Sequence, residues 1–462
     1  MAEKSAVPTE LGTEKISKLL KQYALPAIIA QTASSLYNMV DSIFIGQGVG
    51  PLAISGLAVT FPLMNLSTAF GTLVGAGAAT MLSVLLGQKN YKAANKVLGN
   101  VVSLNVIIGL VFMAVALIFI DPILYFFGAS ENTLPYAKEY ITIILIGNVI
   151  THLYFGLNAA MRSSGSPKKA MALTIFTVVF NTILDPIFIF VFDMGIAGAA
   201  WATVLAQTVA MIMVMRHFSD KTRAFHFEKG IFKLDHRVAK DSLTIGMGPF
   251  LMNAAACLVT LFINQQLRDY SGDLGIGAYG ICNRFIFMFI MICMGLNQGM
   301  QPIAGYNYGA KQYSRVKEVF WMTAKLGTVV TTICFAIGMF IPRLAVGIFT
   351  HDEALLSMSA EGLRILTIGF PIVGFQMIGT NFFQSLGMVK KSIILSLSRQ
   401  LLFLLPLLYT LPLWHGANGV WMSFPVSDVL SALLTAILLR RLFKKFNQLK
   451  DGEESTILGS NL

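Results

Sequence analysis

Twelve apolar segments of membrane-crossing length constrain this chain more than any other feature. They run over 23–46, 53–86, 97–120, 140–161, 170–192, 198–215, 243–267, 277–305, 326–342, 365–386, 392–413 and 419–439. Each exceeds or approaches the ~20 residues that a tilted helix needs to cross ~30 Å of hydrocarbon. Lipid offers the backbone no hydrogen-bond partners, so segments of this kind must be helical. With 55% hydrophobic and 12% charged residues, the chain has too little polar surface for a soluble protein. The fold class expected is therefore an all-α polytopic membrane protein.

The net charge of +11 suits a polyanion partner only until the basic residues are placed. Of the 34 Lys and Arg, 28 fall in the tails and alternate loops on one side, four (Lys138, Arg268, Arg343, Arg364) on the other, and Arg284 and Arg399 within spans. The positive-inside rule then puts both termini and the basic segment 217–240 in the cytoplasm, and no nucleic-acid partner is expected. The four cysteines stand singly in apolar segments without metal-ligand spacing. No GxxxxGK[ST] and no HExxH is present, which argues against a primary pump and an intramembrane hydrolase. The chain reads as a non-enzyme without a cofactor.

An internal repeat sets the architecture. LLGQKNYKAANKV (85–97) answers NYGAKQYSRVKEV (307–319), with Lys89 and Lys311 separated by 222 residues. The same separation relates Gly165 to Gly387 in SSGSPKKA and SLGMVKKS, and GIAGAAW answers GANGVW at 221. An even number of spans per repeat predicts two six-helix bundles in the same orientation, related by a pseudo-two-fold along the membrane normal. The expected layout is a tail (1–22), a first lobe (23–216), a linker (217–240), a second lobe (241–442) and a tail (443–462).

Only three acids lie well inside spans: Asp41, Asp185 and Asp428. An ionisable residue at membrane depth is costly and marks an ion or substrate pathway by default. Counted at 1.5 Å per residue from the outer ends of their spans, Asp41, Asp185 and Thr203 all sit about 7–11 Å deep, so they can meet. Asn181 lies one turn from Asp185 on the same face. Two carboxyls sharing a desolvated site hold a proton more tightly, and the same carboxyls with the Asn181 amide and Thr203 hydroxyl offer Na+ a cage of oxygens. The residue set suits H+ and Na+ alike. Arg399 and Asp428, in adjacent spans, are expected to form a structural pair. Pro26 is the expected hinge of the first span.

These residues carry a resemblance. ALPAIIAQ with YNMVDSIFIGQ, LLGQKNYKAA, RSSGSPKKA and above all NTILDPIFIF resemble the multidrug and toxin extrusion (MATE) family, in its branch named for the DNA-damage-inducible F protein, over about 15–441. The resemblance implies a multi-pass protein of the prokaryotic plasma membrane, a monomer that exports amphipathic, often cationic, compounds in exchange for H+ or Na+. It places the coupling site at Asp41, Asn181, Asp185 and Thr203, with Tyr140 close by, and the substrate cavity at Asn158, to which Tyr37 and Gln207 are added here. A sister branch carries acids in spans seven and ten, which are absent from this sequence. Within the wider superfamily, the alternative is a flippase for lipid-linked oligosaccharides, but only two basic residues lie inside the spans. The repeat makes Leu407 the counterpart of Asp185 and about Gln265 that of Asp41, so the coupling chemistry is expected in the first lobe alone.

Overall fold

The computed structural model describes residues 9–453 except 229 and 231; the outer parts of the terminal tails, 1–8 and 454–462, lie outside the described residues. The elements of the described chain are all helices, with no strand among them. In order, the long helices are α1 (Ile16–Gly48), α2 (Pro51–Gly87), α3 (Tyr91–Ile118), α4 (Leu134–Ile146), α5 (Asn148–Ser163), α6 (Pro167–Pro186) and α7 (Gly195–Ser219). The second half supplies α8 (His236–Gly272), α9 (Leu274–Gly309), α10 (Tyr313–Phe340), α11 (Glu353–Thr367), α12 (Phe370–Ser385), α13 (Val389–His415) and α14 (Ala417–Phe446). Among the described residues, nine helices are long and apolar enough to cross a membrane, or eleven spans if the bent pairs α4–α5 and α11–α12 each count once. With the 33-residue α1, the chain is the polytopic all-α protein that its apolar segments require.

Two spans expected to be continuous are broken. α4 meets α5 at Gly147 with a bend of 53°, and α11 meets α12 near Gly369 with a bend of 55°. At the first break the packing is close: a Cβ on Gly147 would lie 2.6 Å from Val204 of α7. α1 also begins earlier than expected, at Ile16, because its first turns are amphipathic, burying Ile16, Leu19, Leu20 and Tyr23 while Lys18 and Lys21 face outward.

The backbone repeats with the register of the sequence. Left-handed conformations recur at Lys89 and Lys311 (φ 59° at both), and at Gly165 and Gly387, each pair 222 residues apart. Gly50 and Gly272, also 222 apart, take positive φ at the turns after the first span of each half, where a side chain would be strained. That pair fixes the register across the first span and moves the counterpart of Asp41 from Gln265 to Ile263, a buried apolar residue.

By its contacts the described chain forms two compact units, one of residues 9–13 and 29–250, the other of 14–28 and 251–453. α1 and α8 therefore each pass from one unit to the other along their length. Within the first unit, α8 crosses α2 almost backbone to backbone: a Cβ on Gly77 would lie 1.8 Å from the Ser242 carbonyl oxygen, and one on Gly246 equally close to that of Leu73. Within the second, Gly299 of α9 meets Ala24 of α1 in the equivalent way, 2.4 Å from a Cβ to its Cα. The linker packs on the first unit through Asn95 Nδ2 to Glu228 (3.0 Å), Lys96 to Asp235 (3.4 Å) and the Ser103 hydroxyl to the Phe232 carbonyl (2.6 Å). The four cysteines are free.

Candidate functional site

The first unit gathers Tyr37 and Asp41 from α1, Tyr140 from α4, Asn181 and Asp185 from α6, and Thr203 from α7. Local sequence explains the gathering. Asn181 and Asp185 are four residues apart on one helix, so both side chains occupy one face, and the Asn181 amide donates to Asp185 Oδ1 at 2.8 Å. Pro186 then withholds a backbone donor, and the helix widens into a single π turn over Ile187–Val191, closed by the Phe192 amide on the Ile187 carbonyl. Such turns are frequent at functional sites because they re-aim side chains without ending the helix. An apolar cluster of Ile45, Ala53, Tyr140, Ile189, Ile196 and Ala199 packs around the group and holds bulk solvent away.

The hydrogen bonds form a chain with one direction. Since the Asn181 nitrogen donates to Asp185, its oxygen accepts, and the donor is the Thr203 hydroxyl at 3.2 Å. The Thr203 proton is thereby committed, so Tyr37, at 2.8 Å, must donate to Thr203. Tyr140 is buried beside Thr203. The order Tyr37 to Thr203 to Asn181 to Asp185 delivers partial positive charge to one carboxyl.

Asp41 completes the site. Its carboxyl lies within hydrogen-bonding reach of that of Asp185, and both residues are buried, at 5% and 0% exposure. Asp41 Oδ1 and Asp185 Oδ2 have no hydrogen-bond partner among the described residues. Two carboxylates at contact in a desolvated site cannot both keep a negative charge without a counterion. Either a proton between them or a small cation on the unpartnered oxygens resolves the repulsion. The Asn181 amide presents its nitrogen to Asp185 and its oxygen to Thr203, so that amide must turn over before its oxygen can join the carboxyls around Na+.

Not every expected residue belongs to this group. Tyr37, assigned to the substrate cavity, is a member of the carboxyl cluster; its position one turn before Asp41 was the available signal. Asn158 instead donates to the Ala170 carbonyl at 3.1 Å, bracing the start of α6, and Gln207 accepts from Thr151 of α5. Pro26 lies within the unbroken α1, two residues before the point where that helix leaves one unit for the other. In the second unit Arg399 Nε meets Asp428 Oδ1 at 2.7 Å, and the Ser427 hydroxyl caps the Arg399 carbonyl at 2.6 Å, inside a π turn over Ser398–Leu404. Ile263 and Leu407 stand where the first unit has its acids.

The family model for MatE matches this chain twice, over residues 26–187 and 248–410, once in each repeat. The chain belongs to the MatE family. It is 28% identical over 424 residues to the multidrug export protein MepA of Staphylococcus aureus, covering 92% of this chain and 93% of that protein. Among solved structures, it is 36% identical to the MATE multidrug transporter DinF-BH, with a TM-score of 0.88 over 95% of this chain and 98% of that one. The outward-facing conformation of a MATE family transporter superposes with a TM-score of 0.90 at 22% identity, over 97% and 100% of the two chains, a likeness of fold. The acid-bearing α6 and all but the last turn of its acid-free counterpart α13 thus lie within matched MatE repeats.

Proposed function

We propose that this protein is a secondary active multidrug efflux antiporter, exporting amphipathic cationic compounds in exchange for inward H+ or Na+. The observation that carries the reading is the contact of two buried carboxyls, Asp41 and Asp185, each with one unpartnered oxygen among the described residues. MepA and DinF-BH, named for multidrug export and transport, support the substrate class. The localisation that follows is the prokaryotic plasma membrane, with both termini and the linker cytoplasmic, and the working form is a monomer.

Mechanistically, the directed chain ending on Asp185 favours a charged carboxylate there. Arrival of a proton or Na+ between Asp41 and Asp185 removes the repulsion that separates α1 from α6 and draws the two helices together. α1 carries the change along its length towards Pro26, and a cationic substrate that relied on the carboxylates loses its counter-charge. Exchange follows because ion and substrate stabilise different states, and each shifts the equilibrium only by its differential affinity. Arg399 and Asp428 neutralise each other in the second unit and serve as a fixed structural pair.

The test is export of a cationic aromatic dye from reconstituted vesicles carrying a pH gradient alone or a Na+ gradient alone. Dye movement under one gradient and its abolition by collapsing that gradient is expected. Export that needs neither gradient contradicts the proposal.

A further inference from the structure

At the far end of α7 from the carboxyl cluster, a cavity of about 560 Å³ opens among Met213, Arg216, His217, Ser219, Asp220 and Arg223. Thirteen residues of helix separate Arg216 from Thr203, about 20 Å, so this is not the coupling site. The charge balance there is one-sided. Asp220 is its one carboxylate, and it is already engaged: it accepts from the Thr222 amide (3.1 Å) and hydroxyl (2.6 Å) and pairs with Arg223 Nε (3.2 Å). Arg216 is exposed and has no carboxylate or hydrogen-bond partner among the described residues. Lys169, from the first turn of α6, adds a further positive charge beside His217. One turn below this basic rim, Met213 and Ile212 are 43% and 55% exposed on the apolar stretch of α7.

A cationic rim directly above an exposed apolar surface matches an amphiphile with an anionic head. We infer that this cavity binds the phosphodiester headgroup of an anionic phospholipid, with Arg216 and Arg223 on the phosphate and an acyl chain lying along Met213 and Ile212. Its volume lies in the range of small-molecule sites. Basic pockets at the ends of membrane helices recognise such headgroups, with roughly 1 kcal/mol, or about fivefold in affinity, for each basic residue near an anionic surface. A free phosphate would use the rim but not the apolar turn below it.

The experiment places the full-length protein in nanodiscs of phosphatidylcholine, with or without phosphatidylglycerol, and follows retained lipid by native mass spectrometry together with the melting temperature. Nanodiscs expose both leaflets, so the result is independent of the topology proposed above. Phosphatidylglycerol should be retained and should raise the melting temperature. Arg216→Gln with Arg223→Gln should weaken its retention about 25-fold, the product of two fivefold losses, while Arg216→Lys with Arg223→Lys should restore most of it. Lys444→Gln with Lys445→Gln, which removes equal charge from the end of α14, should leave retention unchanged. Equal loss in the two Gln pairs, failure of the Lys pair to rescue, or the same stabilisation by glycerol phosphate without lipid would each overturn the assignment.

Discussion

Thr203→Val removes the one hydroxyl that both accepts from Tyr37 and donates to Asn181, while keeping the size and branching of the side chain. Its loss leaves a phenol and an amide oxygen without partners in a site closed by Ile45, Ile189 and Ala199. In a water-soluble core each such group costs about 1–3 kcal/mol. Between membrane helices a polar contact contributes less, about 0.6–2 kcal/mol, since a helix separated from its neighbours still finds other partners. The lower scale applies here, and two contacts come to roughly 1–4 kcal/mol. The consequence reaches the carboxyls, because Asn181 without its donor is free to rotate its amide away from Asp185. The concentration of coupling ion needed for half-maximal export should therefore shift about tenfold or more, each 1.4 kcal/mol being a factor of ten. The shift is upward for Na+, because the amide is no longer held beside the carboxyls, and downward for H+, because a carboxylate that has lost its donor holds a proton more tightly. Dye export from reconstituted vesicles, titrated with H+ or Na+ on the ion-rich side, measures it. Thr203→Ser retains the hydroxyl and should stay near the wild-type curve. An unchanged curve for the valine variant, or a serine variant as impaired as valine, would refute the argued direction of the chain.

Three further outcomes are expected. Gly77→Ala must push α8 away from α2, taking the Cβ–carbonyl distance from 1.8 Å to at least the 3.0 Å that real contacts allow, so it should impair folding or export far more than alanine at the exposed Leu110 of α3; equal behaviour of the two variants in yield and dye export would contradict the crossing. Asp428→Asn strands Arg399 in the membrane and should destabilise the protein by about 3–5 kcal/mol, as broken buried pairs do, whereas Arg399→Met with Asp428→Leu should recover much of the loss; a double variant that melts no higher than Asp428→Asn would remove the pair's structural role. Cysteines placed at Ser219 and Ser130 should react with impermeant reagents from opposite sides of the membrane, and labelling of both from one side would end the proposed topology.

Much of this arrangement was legible because membrane burial makes polar residues conspicuous. Asp41, Asp185 and Thr203 stood out as rare polar groups at matching depth, and they do converge. Arg399 and Asp428 could be matched for the same reason, each being nearly alone of its charge within a span. Less legible were the features set by backbone proximity. Nothing in the apolar composition of 140–161 distinguishes a straight helix from one broken at Gly147, where the contact with Val204 comes from another helix. The counterpart of Asp41 was misplaced by two residues because the short apolar loops offer little register, and only the positive φ at Gly50 and Gly272 supplies it. Tyr37 was assigned to the cavity because a tyrosine in an apolar helix carries no anomaly of its own; its place in the chain depends on the hydroxyl of Thr203. The crossing of α2 by α8 joins residues 165 or more positions apart and leaves only small side chains as its trace.

The most direct test of the central claim is gradient-driven export by Asp185→Asn, beside Asp41→Asn, in vesicles at matched protein content and under one imposed gradient. Both substitutions preserve shape and remove the charge that the coupling ion must neutralise. The account predicts that each inserts and melts like the wild type, binds the cationic dye more weakly in the absence of a gradient because one counter-charge is gone, and exports none of it when the gradient is applied. Undiminished export by the Asp185→Asn protein would contradict the assignment of ion coupling to the Asp41–Asp185 contact.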